Sequence, residues 1–387
     1  MFKISLSRSN FIHLLRWASA FLVIFNHLRS ILFKDYPLIS HKNPFTMLFY
    51  FLTGLGHQAV IVFFVLSGYL IAGSILSQIN RGIFDIKGYA INRISRLYIV
   101  LIVALPLTVL LDHIGIYYDN IGLYTGKVQA ATLGFSIASR LSFKYFLSSF
   151  FMLQTIVLPP LGSNSSLWSL SNEFWYYILF PCVVLSLFFI KGKKRYSLIY
   201  LSALILLTLL LPIHIELYFL IWLLGLIPFY INLKKSFYKA FFIVALFVWL
   251  LIKKAAHIND FLYDFVLALI VAFCLASFTD YYQLTDKGLL KLNEKLSSFS
   301  YSTYLVHFPV IMISLTLINH YVLEAIWIEP GVIGYLIFTV VFLLVVITSY
   351  IVATFTEFKT PQFRDFLKRI FSTKKASSAS QEAQNHA

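Results

Sequence analysis

The sequence predicts an all-α polytopic membrane protein, on three observations. Of its 387 residues 59% are apolar and only 12% charged, with a mean hydropathy of +0.82, whereas a soluble domain carries about 25% charge. Apolar runs near the length a bilayer requires recur from end to end. The basic residues behind the net charge of +15 stand at the ends of those runs. That is the distribution of membrane topology, not a nucleic-acid patch.

About ten spanning helices are expected, at 11–33, 47–77, 94–112, 167–190, 196–213, 215–233, 237–253, 260–280, 299–320 and 331–356. The first run is too long for a signal-peptide core and holds Arg16, His27 and Arg29, so it stays as a span. The apolar segment 141–161 contains Lys144 and ends in Pro159-Pro160. It reads as an interfacial or re-entrant segment, because that reading leaves all but eight of the 31 lysines and arginines on one side. The exceptions are Arg29, Lys34, Lys42, Lys127, Arg140, Lys144, Lys253 and Lys254. Both termini are then cytoplasmic. Residues 113–166 form the longest loop on the other side. A membrane domain is expected over 1–361, with a cytoplasmic tail, 362–387, disordered toward its polar end. Cys182 and Cys274 lie within apolar runs and are expected to be buried and reduced.

Several ionisable groups fall where hydrocarbon should exclude them. Arg16 and His27 are eleven residues apart, about three helical turns, so they share a face roughly 16 Å apart. Such groups mark functional sites by default, although His27 could also bond a neighbouring helix and Arg16 snorkel to the surface. Ser67-Gly68 interrupts GHQAVIVFFVLSGYL, as a polar contact or as close helix packing. Arg93 and Arg96 share a helix face, where they could clamp phosphates or face lipid headgroups. In LWSLSNEFWYY, Glu173 sits among Trp168 and other aromatics; a carboxylate there needs a partner and could orient a histidine or meet sugar hydroxyls. Ser300, Tyr304 and His307 make one polar stripe, and Pro309 follows it. Glu357 could pair with Arg93 or Arg96. The remaining histidines lack metal-ligand spacing, and no serine-hydrolase elbow is present.

Jointly these motifs resemble the acyltransferase family 3 proteins, bacterial integral membrane acyltransferases, over about residues 8–361. The matching positions are Arg16 and His27; Phe63, Phe64, Leu66, Ser67 and Gly68; Arg93 and Arg96; Trp168, Leu170 and Glu173; Ser300, Tyr304 and His307; and Glu357 with Pro361. One departure is Ala59-Val60, preceded by His57-Gln58, where many members have a Gly-Val pair. No fused SGNH domain follows, so transfer would be completed within the membrane domain or by a partner.

The resemblance implies a multi-pass protein of the bacterial inner membrane. It would move an acyl group, most often acetyl from cytoplasmic acetyl-CoA, to a hydroxyl of a surface glycan such as O-antigen, capsule or exopolysaccharide, or of its lipid-linked precursor. Arg93 and Arg96, with Ser67 and Gly68, would hold the donor. His27, with Arg16 and Glu173, would do the chemistry, by general base catalysis or as a transient acyl carrier. Trp168, Tyr304 and His307 would line the substrate pocket, and no metal is expected. The alternative is a transporter or flippase of a lipid-linked sugar or acyl donor, which would not need an arginine pair selective for a phosphorylated donor.

Overall fold

The computed structural model describes residues 4–82, 84–127, 134–189, 194–252, 258–279, 287–323 and 325–371. These residues are helical throughout their regular structure, as expected. The helices are α1 (Leu6–Leu32), α2 (Pro44–Thr53), α3 (Gly56–Ile79), α4 (Ile86–Tyr118), α5 (Phe143–Phe150), α6 (Leu167–Phe188), α7 (Lys194–Leu210), α8 (Ile213–Leu223), α9 (Ile227–Tyr230), α10 (Ser236–Ile252), α11 (Asp260–Ser277), α12 (Lys287–Ser297), α13 (Ser300–Tyr321) and α14 (Val332–Phe355).

Among the described residues, eight helical stretches are long and apolar enough to cross a membrane, against about ten expected. The runs expected at 196–213 and 237–253 form α7 and α10, helices of 17 residues each. Each described helix rises about 26 Å, at the lower end of the lengths that span a bilayer. Pro212 stands just beyond the end of α7. Both leave apolar residues exposed, including Leu198, Leu206 and Leu209 on α7 and Phe237, Phe241 and Phe247 on α10. The run 47–77 is longer than expected and broken, α2 starting under an Asn43–Thr46 capping box and ending at Gly54. The tail beyond residue 361 begins as helix, to 371, and its expected disorder lies outside the described residues.

The segment 141–161 does not span. Its helix α5 has eight residues, and the chain then runs irregularly through the interior, with Met152, Gln154, Leu161, Ser163 and Asn164 fully buried. Buried irregular backbone must find hydrogen bonds within the protein. The Met152 carbonyl accepts from Ser171 Oγ at 2.8 Å and from the Trp175 indole at 2.9 Å. Gly162, at φ +52°, passes so close to Asp112 that a Cβ would lie 2.2 Å from its carboxylate; the next amide, Ser163 N, donates to that carboxylate at 2.7 Å.

Proline interrupts α4, α6 and α13 at Pro106, Pro181 and Pro309. Each removes the N–H that would bond the carbonyl four residues back. Two of those freed carbonyls become tertiary ties: Tyr177 O accepts from Tyr89 OH at 2.9 Å, and Leu305 O from Asn164 Nδ2 at 2.8 Å. The prolines thus join α6 to α4 and α13 to the buried loop. At the end where α1 begins, buried Arg8 reaches the carbonyls of Pro228, Ala276 and Phe278 at 3.0–3.3 Å, near the C-termini of α9 and α11. A guanidinium suits that position because helix C-termini carry negative partial charge.

Candidate functional site

A cavity of about 400 Å³ opens between α1, α3, α4, α6 and α13, within the range of small-molecule sites. Arg16, Arg93, Arg96 and Glu173 line it, together with Ser67, Ser74, Ser169, Tyr177, Ser300, Tyr301 and Tyr304. Val60, Phe63, Phe64, Leu70 and Ile71 form its apolar wall.

Charge is unevenly neutralised here. Glu357, in the turn after α14, stands 4.0 Å from Arg16 Nη2 and 3.9 Å from Arg96 Nη2. Its other oxygen accepts from the backbone and hydroxyl of Ser302 at 2.9 and 3.0 Å. Arg16 also donates to Ser300 Oγ at 3.1 Å. Arg93 makes no ion pair among the described residues; its guanidinium lies against the rings of Tyr89 and Tyr177, and its Nε is buried without a hydrogen-bond partner. An anionic group entering the cavity would find this guanidinium available.

Glu173 is held by hydroxyls beside the arginines. Its Oε1 accepts from Ser67 Oγ at 2.6 Å and from the Tyr177 hydroxyl, and the Trp222 indole donates to Ser67 Oγ at 3.1 Å. The expectation that Glu173 lies near His27 is therefore corrected. The chain enters α6 from a buried loop, not from the membrane surface, which carries Glu173 down beside the arginines. Gly68 is also reassigned. Its face is turned away from the cavity, and a Cβ there would lie 2.0 Å from the Trp222 carbonyl. Gly68 is a packing residue that brings α8 close enough for Trp222 to reach Ser67.

His27 does not line the cavity. Its ring stacks on His307 with centroids 5.4 Å apart and meets Phe308 edge-on at 4.7 Å, and its Nδ1 is buried without a partner. His307 is fully buried; its Nδ1 faces the Tyr304 carbonyl at 2.8 Å, so it carries the proton, and Nε2 accepts from Ser166 Oγ at 3.2 Å. Tyr304 lines the cavity, donating to Ser166 O at 3.1 Å and accepting from Ser169 Oγ at 2.6 Å. The order from cavity to His27 is thus Tyr304, His307, His27. Trp168 stands outside the lining, packed on Phe64 and Tyr218.

Three buried or half-buried groups escaped the sequence reading as site candidates. Asp112 is fully buried, with Oδ1 unpaired. Asp264 is fully buried and bonded to His57 Nε2 at 2.7 Å. The signal was there for both carboxylates, since an ionisable residue inside an apolar run calls for a partner.

The family model for the acyltransferase domain of acyltransferase family 3 matches residues 9–354. An uncharacterized protein of Haemophilus influenzae is 30% identical over 128 residues, 32% of this chain. The chain spans about half of that relative, 47% of its length. No solved structure matches. The chain belongs to the acyltransferase 3 family and is a multi-pass membrane protein.

Proposed function

From membership of this family, we propose that the protein transfers acetyl from cytoplasmic acetyl-CoA to a hydroxyl of a surface glycan or its lipid-linked precursor, in the bacterial inner membrane with both termini cytoplasmic. The domain responsible is residues 1–361. The observation that carries the reading is Arg93, a cationic side chain in a cavity with no carboxylate of its own and a buried N–H without a partner. Arg93 and Arg96 would take the donor's phosphates, because guanidinium forks match phosphate oxygens. The apolar wall along α3 suits the pantetheine arm. A spanning helix is only about 30 Å long, within reach of that arm.

His27 supplies the reacting imidazole, either accepting the proton of the acceptor hydroxyl or carrying the acyl group in passing. Tyr304 and His307 stand between it and the cavity, so the arm must displace or pass the Tyr304 side chain. Arg16 stands at the donor end of α1, beside Glu357 and Ser300. The test is acetyl-CoA binding to detergent-purified protein. Wild type should bind, and Arg93→Ala should bind about tenfold to a hundredfold more weakly, the loss of a charged hydrogen bond. A transporter of a lipid-linked sugar would leave acetyl-CoA unbound in both.

A further inference from the structure

A second histidine lies at the His27 end of the bundle. His57 is in the first turn of α3, directly after Gly56, and Gly56 packs so closely on α1 that a Cβ would meet Asn26 at 2.5 Å. His27 and His57 are thus the next residues after a point where α1 and α3 touch. On α3, His57 also continues the edge of the face that carries Val60, Phe64, Ser67, Ile71 and Ser74 along the cavity. It lies about 15 Å beyond Ser67, by helical rise.

The two imidazoles have different surroundings. His27 is flanked by rings and meets no carboxylate among the described residues. His57 Nε2 stands 2.7 Å from Asp264 Oδ2, and Tyr218 OH donates to the same oxygen at 3.1 Å. Asp264 is fully buried while the His57 side chain is 39% exposed, so the pair holds one ring nitrogen inside and turns the ring outward. A buried carboxylate kept for packing alone would have both oxygens satisfied, because each unpaired one costs its desolvation. Here Asp264 Oδ1 has no partner. Tyr218 and Trp168 pack against one another beside the pair, each only part-buried. Aromatic surface next to a directed hydrogen-bonding group suits a ligand with apolar ring faces and hydroxyl edges.

We infer that His57, held by Asp264 and Tyr218, is the acceptor-binding residue of this enzyme and hydrogen-bonds a hydroxyl of a carbohydrate ring that rests on Trp168 and Tyr218. The inference rests on the acyltransfer reading and assigns its acceptor side. His57 binds, Asp264 and Tyr218 position it, and the bond-making step stays with His27.

The experiment expresses wild type, His57→Phe, His57→Gln and Tyr218→Phe in a strain lacking the chromosomal copy. It measures acetyl-CoA affinity of each purified protein and ester-linked acetyl on the surface glycan. All four should bind acetyl-CoA equally. His57→Phe keeps ring volume without hydrogen bonds and should lower glycan acetylation about tenfold. His57→Gln can donate to Asp264 and offer its carbonyl outward, and should retain most of the acetylation; Tyr218→Phe should fall between. Wild-type acetylation in His57→Phe, at equal protein abundance, would overturn the inference. So would a His57→Gln as inactive as His57→Phe, which would assign proton transfer instead. Should His57→Phe not accumulate, Gln and Tyr218→Phe decide: full loss in Gln, or no change in Tyr218→Phe, contradicts. If wild type itself neither binds acetyl-CoA nor acetylates, the acyltransfer reading falls, a result separate from any difference among the variants.

Discussion

The two ends of the α1 face differ in how they treat charge. At the Arg16 end Glu357 meets two guanidiniums, Arg16 and Arg96, through long contacts of 3.9–4.0 Å, and the third guanidinium at the cavity, Arg93, has no carboxylate among the described residues. At His27 an imidazole is packed against His307 and Phe308. Arg93 can take an incoming phosphate without giving up an ion pair among the described residues. The His27 imidazole has rings beside it and no carboxylate among the described residues. One end is therefore built to bind an anion and the other to hold an imidazole in place by packing.

The sharpest way to break this comparison is to exchange losses between the ends. His27→Ala should reduce acetyl transfer about a thousandfold, in the range of a lost acid–base or nucleophilic group, while acetyl-CoA still binds. Arg93→Ala should show the reverse priority, with weakened binding and a transfer defect that high donor concentration relieves. If both variants lose donor binding equally, the ends are not separate.

A smaller effect tests how the cavity wall is held. Gly68→Ala forces a methyl against the Trp222 carbonyl, which should destabilise the protein by about 1–3 kcal/mol as an overpacked contact, read as a lower melting temperature in detergent. Unchanged melting would show that α3 and α8 are free to separate.

The smallest effect concerns the loop over the His27 end. Lys34 donates to Glu329 at 3.0 Å and Ser40 N to the same carboxylate at 3.1 Å. These hydrogen bonds, from Lys34 first, hold the Glu329 carboxyl below its ordinary range. A depressed carboxyl adds stability above its unfolded pKa and loses it as pH falls through the folded value. Wild type should therefore lose a little melting temperature on acidification that Glu329→Gln does not, and salt should shrink the difference.

The helices and the arginine end were legible in the sequence because hydrocarbon makes every charge conspicuous. Arg16, Arg93, Arg96 and Glu173 all line one cavity. Depth was not legible. Glu173 was expected near His27, and only the buried course of residues 151–166 shows why α6 starts deep. For Ser67-Gly68 the sequence left both a polar contact and close helix packing open, and the structure gives the first to Ser67 and the second to Gly68, whose neighbour Trp222 across the interface no local pattern names. The partnership of His57 with Asp264 joins residues 207 positions apart, and no local pattern encodes it. The prolines lay in plain view, but not the Tyr89 and Asn164 side chains that answer their freed carbonyls.

The central claim is acyl transfer to a surface glycan. It is tested most directly by NMR of that glycan from a strain lacking the protein, with and without the wild-type chain restored. The account predicts O-acetyl signals that vanish on deletion and return on restoration. Identical glycan spectra from the two strains, with the restored protein present in the membrane, would contradict it.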